Sequence, residues 1–277
     1  MKIGWFPGHM HRARKVMAEL MPRIDVVIEV LDARLPISSS NPLLDEMRGD
    51  RPCLKVLNKS DLADPEVTGL WVTRFQKRQG VNPLAVSATN PGEVKRIKKL
   101  CLSMSRRKPA PLRPVRAMIV GIPNVGKSTL MNALVGRRVA RAANEAAITR
   151  KTKHIDLSDD LTISDTPGIL WPNLENQRGA FRLAASGAIR ESALDFDEVA
   201  LFAARFMLKN YPDLLAKRYK LTEMPDNGQD LLEAIGAKRG CLIKGGEVDW
   251  NKVTTLFLNE FRGGLIGRIS LERPKEE

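Results

Sequence analysis

The chain has 277 residues, enough for one large or two ordinary domains, and its 43% hydrophobic content suits a substantial core. A formal charge of +13 points to an anionic partner, nucleic acid first, with nothing to indicate DNA specificity. Three widely spaced cysteines, Cys53, Cys101 and Cys241, argue against a zinc site or disulfide framework and suit a reducing cytosol; no signal-peptide core and no run of about eighteen apolar residues is seen, so neither export nor a membrane span is expected.

After Trp5-Phe6-Pro7-Gly8-His9-Met10, basic residues at 12, 14 and 15 and apolar ones at 16, 17, 20 and 21 predict an amphipathic helix over 11–21, ended by Pro22. Val26 to Leu31 reads as a buried strand, Asp32 to Pro42 as a loop, Leu43 to Met47 as a short helix and Cys53 to Leu57 as a second strand. That strand runs into Asn58-Lys59-Ser60-Asp61. At the carboxyl end of a buried strand, N-K-x-D suits guanine: the Asp61 carboxylate accepts from the N1 and N2 protons, and adenine, with neither donor, would leave it unpaired. Asn58 would tie this loop to a phosphate loop and reach the base edge, while the Lys59 stem would lie over the purine. Alone, N-K-S-D is also a common turn. A partner strengthens it: Pro83 to Val86 reads as a strand ending in Ser87-Ala88-Thr89, whose backbone N–H groups suit guanine O6.

From Val94 to Asn144 there is no Asp or Glu, against thirteen Lys and Arg. Lys95 to Leu100 reads as a basic helix face and Ser103 to Pro114 as a proline-rich tether; both suit a solvated surface or contact with RNA phosphates.

Ala117 to Val120 then forms a strand leading into Gly121-Ile122-Pro123-Asn124-Val125-Gly126-Lys127-Ser128-Thr129, and helical residues follow from Leu130 to Val135. Strand, glycine loop and helix form the context of a phosphate-binding loop: backbone N–H groups from Asn124 to Thr129 curl round a phosphate, Lys127 reaches the β and γ phosphates, and the Ser128 hydroxyl ligates Mg²⁺. Gly136 to Arg150 reads as a polar loop. A threonine there would complete Mg²⁺ coordination and respond to the γ phosphate, with Thr149 the first candidate and Thr152 its rival. Lys153 to Leu157 and Leu161 to Ser164 are expected to pair as strands, the second delivering Asp165-Thr166-Pro167-Gly168. Asp165 would hold Mg²⁺ through water, and the Gly168 N–H would meet the γ phosphate. Many GTPases place Gln after this glycine to orient water, whereas this chain continues Ile169-Leu170. His9, beside Gly8, is the candidate to replace it, with a packing role as the alternative.

The guanine elements precede the phosphate loop, the reverse of the common order, which a doubly wound sheet tolerates because ligand loops gather at one edge. The motifs together, Trp5 to Met10, Asp32-Ala33-Arg34-Leu35-Pro36, Asn58 to Asp61, the phosphate loop and Asp165 to Pro172, resemble the circularly permuted GTPases of the YlqF/RbgA type. The resemblance covers about the first two thirds of the chain. It implies GTP hydrolysis coupled to a late step in large ribosomal subunit assembly, weak by itself and raised by the ribosomal particle. It also implies that Asn124 binds K⁺ near the β and γ phosphates. One departure is Ala146-Ala147 ahead of Ile148-Thr149, where the family usually has Pro-Gly.

Helices are expected over 174–189, 200–209, 213–219, 230–235 and 252–261, the last two stopped by glycine. Lys238, Arg239, Lys244, Arg262, Arg268 and Arg273 are either solvated or RNA-facing, and the resemblance favours RNA. The expected organisation is an N-terminal segment over 1–22, a permuted P-loop GTPase of α/β class with a doubly wound, mostly parallel sheet over 23–172, and an all-helical RNA- or ribosome-binding domain over 173–277. A cytoplasmic location is expected throughout, and the alternatives are a GTPase of small-subunit or tRNA maturation and a non-enzymatic RNA-binding scaffold shaped by GTP.

Overall fold

The computed structural model describes residues 15–110, 113–145, 153–166, 177–189 and 195–274. They divide into two units, the divisions falling after residue 172 and after residue 271. The first unit is built on a six-stranded sheet. Strands β1 (Val26–Asp32), β2 (Cys53–Asn58), β3 (Val81–Ala85), β4 (Val115–Gly121), β5 (Lys153–Ser158) and β6 (Leu161–Asp165) stand in the order β3-β2-β1-β4-β6-β5. All neighbours pair in parallel except β5 with β6. Both β1 and β2 are buried along their whole length, as expected of continuous apolar runs in a parallel sheet.

Two charges interrupt those runs. Glu29 and Lys55 face each other across β1 and β2, and the Lys55 ammonium donates to the Glu29 carboxylate. Glu29 also accepts from Ser40 Oγ and the Asn41 N–H at 2.9 Å each, so the buried pair pins the loop that follows β1. Strand alternation puts this pair between two apolar clusters on one sheet face. Val27, Cys53 and Met118 pack with Met17, Met21 and Leu44, whereas Leu31 and Leu57 pack with Val67, Trp71 and Phe75.

Helices α1 (Pro42–Arg48), α2 (Pro65–Gln76) and α3 (Pro91–Met104) start by one rule. The side chains of Asn41, Asp64 and Asn90 accept backbone N–H groups, and a proline pre-set for helical φ follows each. Helix α2 is not among the sequence-predicted elements, because Val67, Thr68 and Gly69 depress its helical propensity. Burial of Val67, Trp71 and Phe75 overrides that local preference.

Helix α4 (Lys127–Glu145) corrects another expectation. Gly136, with φ of 72°, breaks it, but helical structure resumes and runs to Glu145 where a loop was expected after Gly136. The Ala- and Arg-rich sequence from Val139 to Ala143 has high helical propensity, which accounts for the difference.

The second unit is helical: α5 (Gln177–Ala185), α6 (Phe196–Asn210), α7 (Pro212–Tyr219), α8 (Gly228–Arg239) and α9 (Trp250–Arg262). Phe181 stacks on Phe202 at 5.3 Å, and Arg262 donates to the Ala184 and Ala185 carbonyls that end α5. Arg218 grips Glu260 through two nitrogens, at 2.9 and 2.7 Å. Gly236 does not stop α8, contrary to expectation. It lies under Val248, where a Cβ would come within 2.6 Å of a methyl carbon, and the stop falls at Gly240, in the left-handed conformation. Residues 272–274 belong with the sheet unit: Glu272 accepts from the backbone N–H groups of Ile37 and Ser38, and its carbonyl accepts from Trp71 Nε1. Among the described residues no helix is long and apolar enough to cross a membrane.

Candidate functional site

Parallel pairing brings the carboxyl ends of four strands to one edge. Asp32 is the register partner of Asn58, Val30 of Gly121, and Ile119 of Asp165. In an open α/β sheet this edge is where ligands bind.

The loop after β4 needs its glycines. A Cβ on Gly121 would stand 2.9 Å from the Val30 carbonyl oxygen, and Gly126 has φ of 89° with Asn58 Nδ2 only 2.4 Å from where its Cβ would be. Asn58 has little freedom to move away. Its amide nitrogen donates to the Val125 carbonyl at 2.8 Å and its amide oxygen accepts from the Ala88 N–H at 3.0 Å. One buried side chain therefore ties the 121–129 loop to the 87–89 loop. Lys59, with φ of 59°, donates to the Asn124 carbonyl at 2.6 Å, and Asn124 is itself left-handed at 58°. These three contacts draw three loops, distant in sequence, around one location.

The remaining predicted residues sort by strand end. The Ser60 N–H donates to the Val86 carbonyl at 3.1 Å, and Asp61 is exposed. Ser87 has its N–H held by Glu93 at 2.7 Å and its hydroxyl beside Thr89 Oγ1, also at 2.7 Å. Ser128 and Thr129 are exposed in the first turn of α4, whose helical bonding starts with the Leu130 N–H on the Gly126 carbonyl. The Lys127 ammonium donates to the Asp165 carboxylate, bringing the ends of β4 and β6 together. Thr166 is buried, and its hydroxyl donates to the Ile119 carbonyl at 2.8 Å. Expectations for His9, Thr149, Thr152 and Gly168 fall outside the described residues.

Sequence reasoning quoted Asp32 and Arg34 as a motif but assigned them no site role. Asp32 lies beside Lys59, and Arg34 clasps its carboxylate with Nε at 3.0 Å and Nη2 at 2.8 Å. Burial alone would raise the Asp32 pKa, but the Arg34 charge and hydrogen bonds and the Lys59 charge outweigh it, and the carboxyl is lowered to about 2. Glu93 was also missed, although its place in the first turn of α3, just after Ser87-Ala88-Thr89, is a readable signal. The three cysteines are free and buried, and burial pushes the Cys53 and Cys101 thiols up to about 12.

For a divalent cation, the structure offers the Ser128 hydroxyl and the Asp165 carboxylate, hard oxygen donors at adjoining strand and helix ends. No cluster of three or more His, Cys, Asp or Glu suited to a metal occurs among the described residues. That donor set fits Mg²⁺, which commonly takes one or two protein oxygens and completes its shell with phosphates and water.

Comparison with known proteins gives one answer. Residues 116–208 match the family described as 50S ribosome-binding GTPase. Over its full length the chain is 44% identical to the ribosome biogenesis GTPase A of Bacillus cereus, covering 95% of that protein. It is 31% identical to the Thermotoga maritima protein of the same name, across 99% of this chain and 95% of that one. Among solved structures, GDP-bound TM YlqF aligns with TM-score 0.69 and 30% identity, over 93% of this chain and 98% of that one. GNP-bound YlqF from T. maritima aligns with TM-score 0.68 and 29% identity, over 96% and 100%.

Proposed function

The chain belongs to the ribosome biogenesis GTPase A family and is a GTPase, and we propose that it uses GTP hydrolysis to drive a late step in assembly of the large ribosomal subunit. The observation that supports the nucleotide-binding part of this reading is Asn58, which joins the 121–129 and 87–89 loops, while the large-subunit step is suggested by the family. In it, Asp61 reads guanine N1 and N2, Ser60, Ser87 and Ala88 close the base pocket, and Lys59 covers the purine. Asn124, Val125, Gly126 and Thr129 present backbone N–H groups to the phosphates while Lys127 contacts the β and γ oxygens. Ser128, Thr149 and, through water, Asp165 would hold Mg²⁺, and Asn124 would hold K⁺, cations that would offset charge developing on the β and γ oxygens. The Gly168 N–H senses the γ phosphate, and His9 swings toward it to orient water when the ribosomal particle docks.

The sheet unit, apart from residues 272–274, corresponds to the permuted GTPase domain over 23–172 with the segment 1–22 before it, and the helical region after 172 contacts rRNA in the cytoplasm. Charge supports an RNA partner for the chain but not through that region in particular: the +13 excess lies wholly in residues 1–172, and residues 173–277 carry equal numbers of basic and acidic side chains. The test is GTP turnover by the purified chain with large and with small ribosomal subunits. Large subunits are expected to raise turnover by at least about tenfold, a floor well below the roughly 10³- to 10⁵-fold that a partner can supply by completing a GTPase site. His9→Ala should remove most of that increase while leaving GDP affinity unchanged. Stimulation by small subunits alone, or none by either, would overturn the large-subunit assignment, and an unchanged His9→Ala rate would remove His9 from the chemistry.

A further inference from the structure

Asp32 is the last residue of β1, and its side chain is 4% exposed. Its Oδ1 accepts from the Arg34 N–H and Arg34 Nε, both at 3.0 Å, and its Oδ2 from Arg34 Nη2 at 2.8 Å. A further bond fixes the backbone: the Asp32 N–H donates to Ser39 Oγ at 3.1 Å. The carboxylate is thus anchored by its own loop, and Oδ2 still faces outward to the Lys59 ammonium at 3.1 Å. Lys59 makes its other bond to the Asn124 carbonyl at 2.6 Å, and its side chain is 24% exposed. The ammonium is held between a carboxylate beneath and a phosphate-loop carbonyl alongside. A free lysine has four rotors to order when a ligand arrives, whereas this stem is ordered in advance.

We propose that Asp32 is a positioning residue for purine binding: held by Arg34, it fixes the Lys59 stem at the place where the base stacks. The proposal rests on the reading of Asn58 to Asp61 as the guanine site. Chemistry supports a division of labour within that site. Asp61 distinguishes exocyclic groups through hydrogen bonds, while a lysine stem against a purine face attracts guanine and hypoxanthine alike. Loss of Asp32 should therefore weaken every purine that Asp61 accepts by a common factor. A purely structural Asp32 would instead let the whole 58–61 loop shift, moving Asp61 and degrading guanine selectivity.

The experiment measures GDP, IDP and ADP affinity of the full chain and of Asp32→Asn, Lys59→Met and the double variant. Wild-type preference for GDP over ADP tests the guanine-site reading independently of Asp32. Asp32→Asn is expected to weaken GDP and IDP equally, by about three- to thirtyfold, with their ratio preserved. In the Lys59→Met background the same substitution should add less than about twofold, since its route of action is gone. A full-sized effect of Asp32→Asn in that background, or a changed GDP to IDP ratio, overturns the proposal while leaving the guanine site standing. Should Asp32→Asn fail to fold, Arg34→Gln, which keeps the carboxylate but removes its clamp, carries the same cycle with the same criteria.

Discussion

Asp32 makes a stability prediction as well as a binding one. Its folded pKa of about 2 lies below the ordinary 3.8, so its ion pairs stabilise the fold above about pH 4 and lose that contribution as the pH falls toward 2. The difference corresponds to on the order of 2 kcal/mol. Urea unfolding of wild type and Asp32→Asn should show a gap at pH 6 that narrows steadily below pH 4, and a gap independent of pH would refute the assignment. Sequence reading gave this carboxylate no function because its partners are read from different places. Arg34 is two residues on, but Lys59 reaches it only because β1 and β2 pair with Asp32 opposite Asn58. The N-K-S-D residues, by contrast, stand in one stretch at a strand end, so the contact of Asn58 to the 121–129 loop was expected from their order alone.

The loop from Ala33 to Asn41 shows how an element is fixed by contacts its own sequence does not advertise. Glu29 holds one end at Ser40 and Asn41, and Glu272 holds the middle at Ile37 and Ser38, where it also accepts from the Ser38 hydroxyl. Glu272→Ala removes the acceptor shared by two backbone donors and a hydroxyl, a carboxylate that is itself 5% exposed although Ile37 and Ser38 lie nearer the surface. The expected cost is about 2–3 kcal/mol in urea unfolding, because hydrogen bonds to a charged acceptor exceed neutral ones. A cost within experimental error would show that water replaces the carboxylate freely. The same lesson applies to α2, whose β-branched residues and glycine hide a helix that Trp71 and Phe75 make necessary, and to α8, where Gly236 is demanded by Val248 and only resembles a stop signal.

Across the molecule, charge is the property that reaches furthest. On α3, Lys95, Arg96 and Lys99 are exposed along one helical face, and Glu93, the acidic residue of its first turn, is occupied by the Ser87 N–H and Asn90. The triple reversal Lys95→Glu, Arg96→Glu, Lys99→Glu should weaken the proposed binding to large subunits by at least about tenfold and flatten its salt dependence, with GDP affinity unchanged. Unaltered particle binding would assign these residues to solvation alone. Composition, the chain order of the loops and the strands and glycine loop that carry them were available from residues in a row, because strand periodicity and glycine turns are local facts. What could not be read in a row is which distant residues meet. Asn58 reaching both Val125 and Ala88, Asp32 holding Lys59, and Glu272 rejoining the sheet unit all follow from strand register and close packing, which act on the folded chain and leave no mark on any single stretch of it.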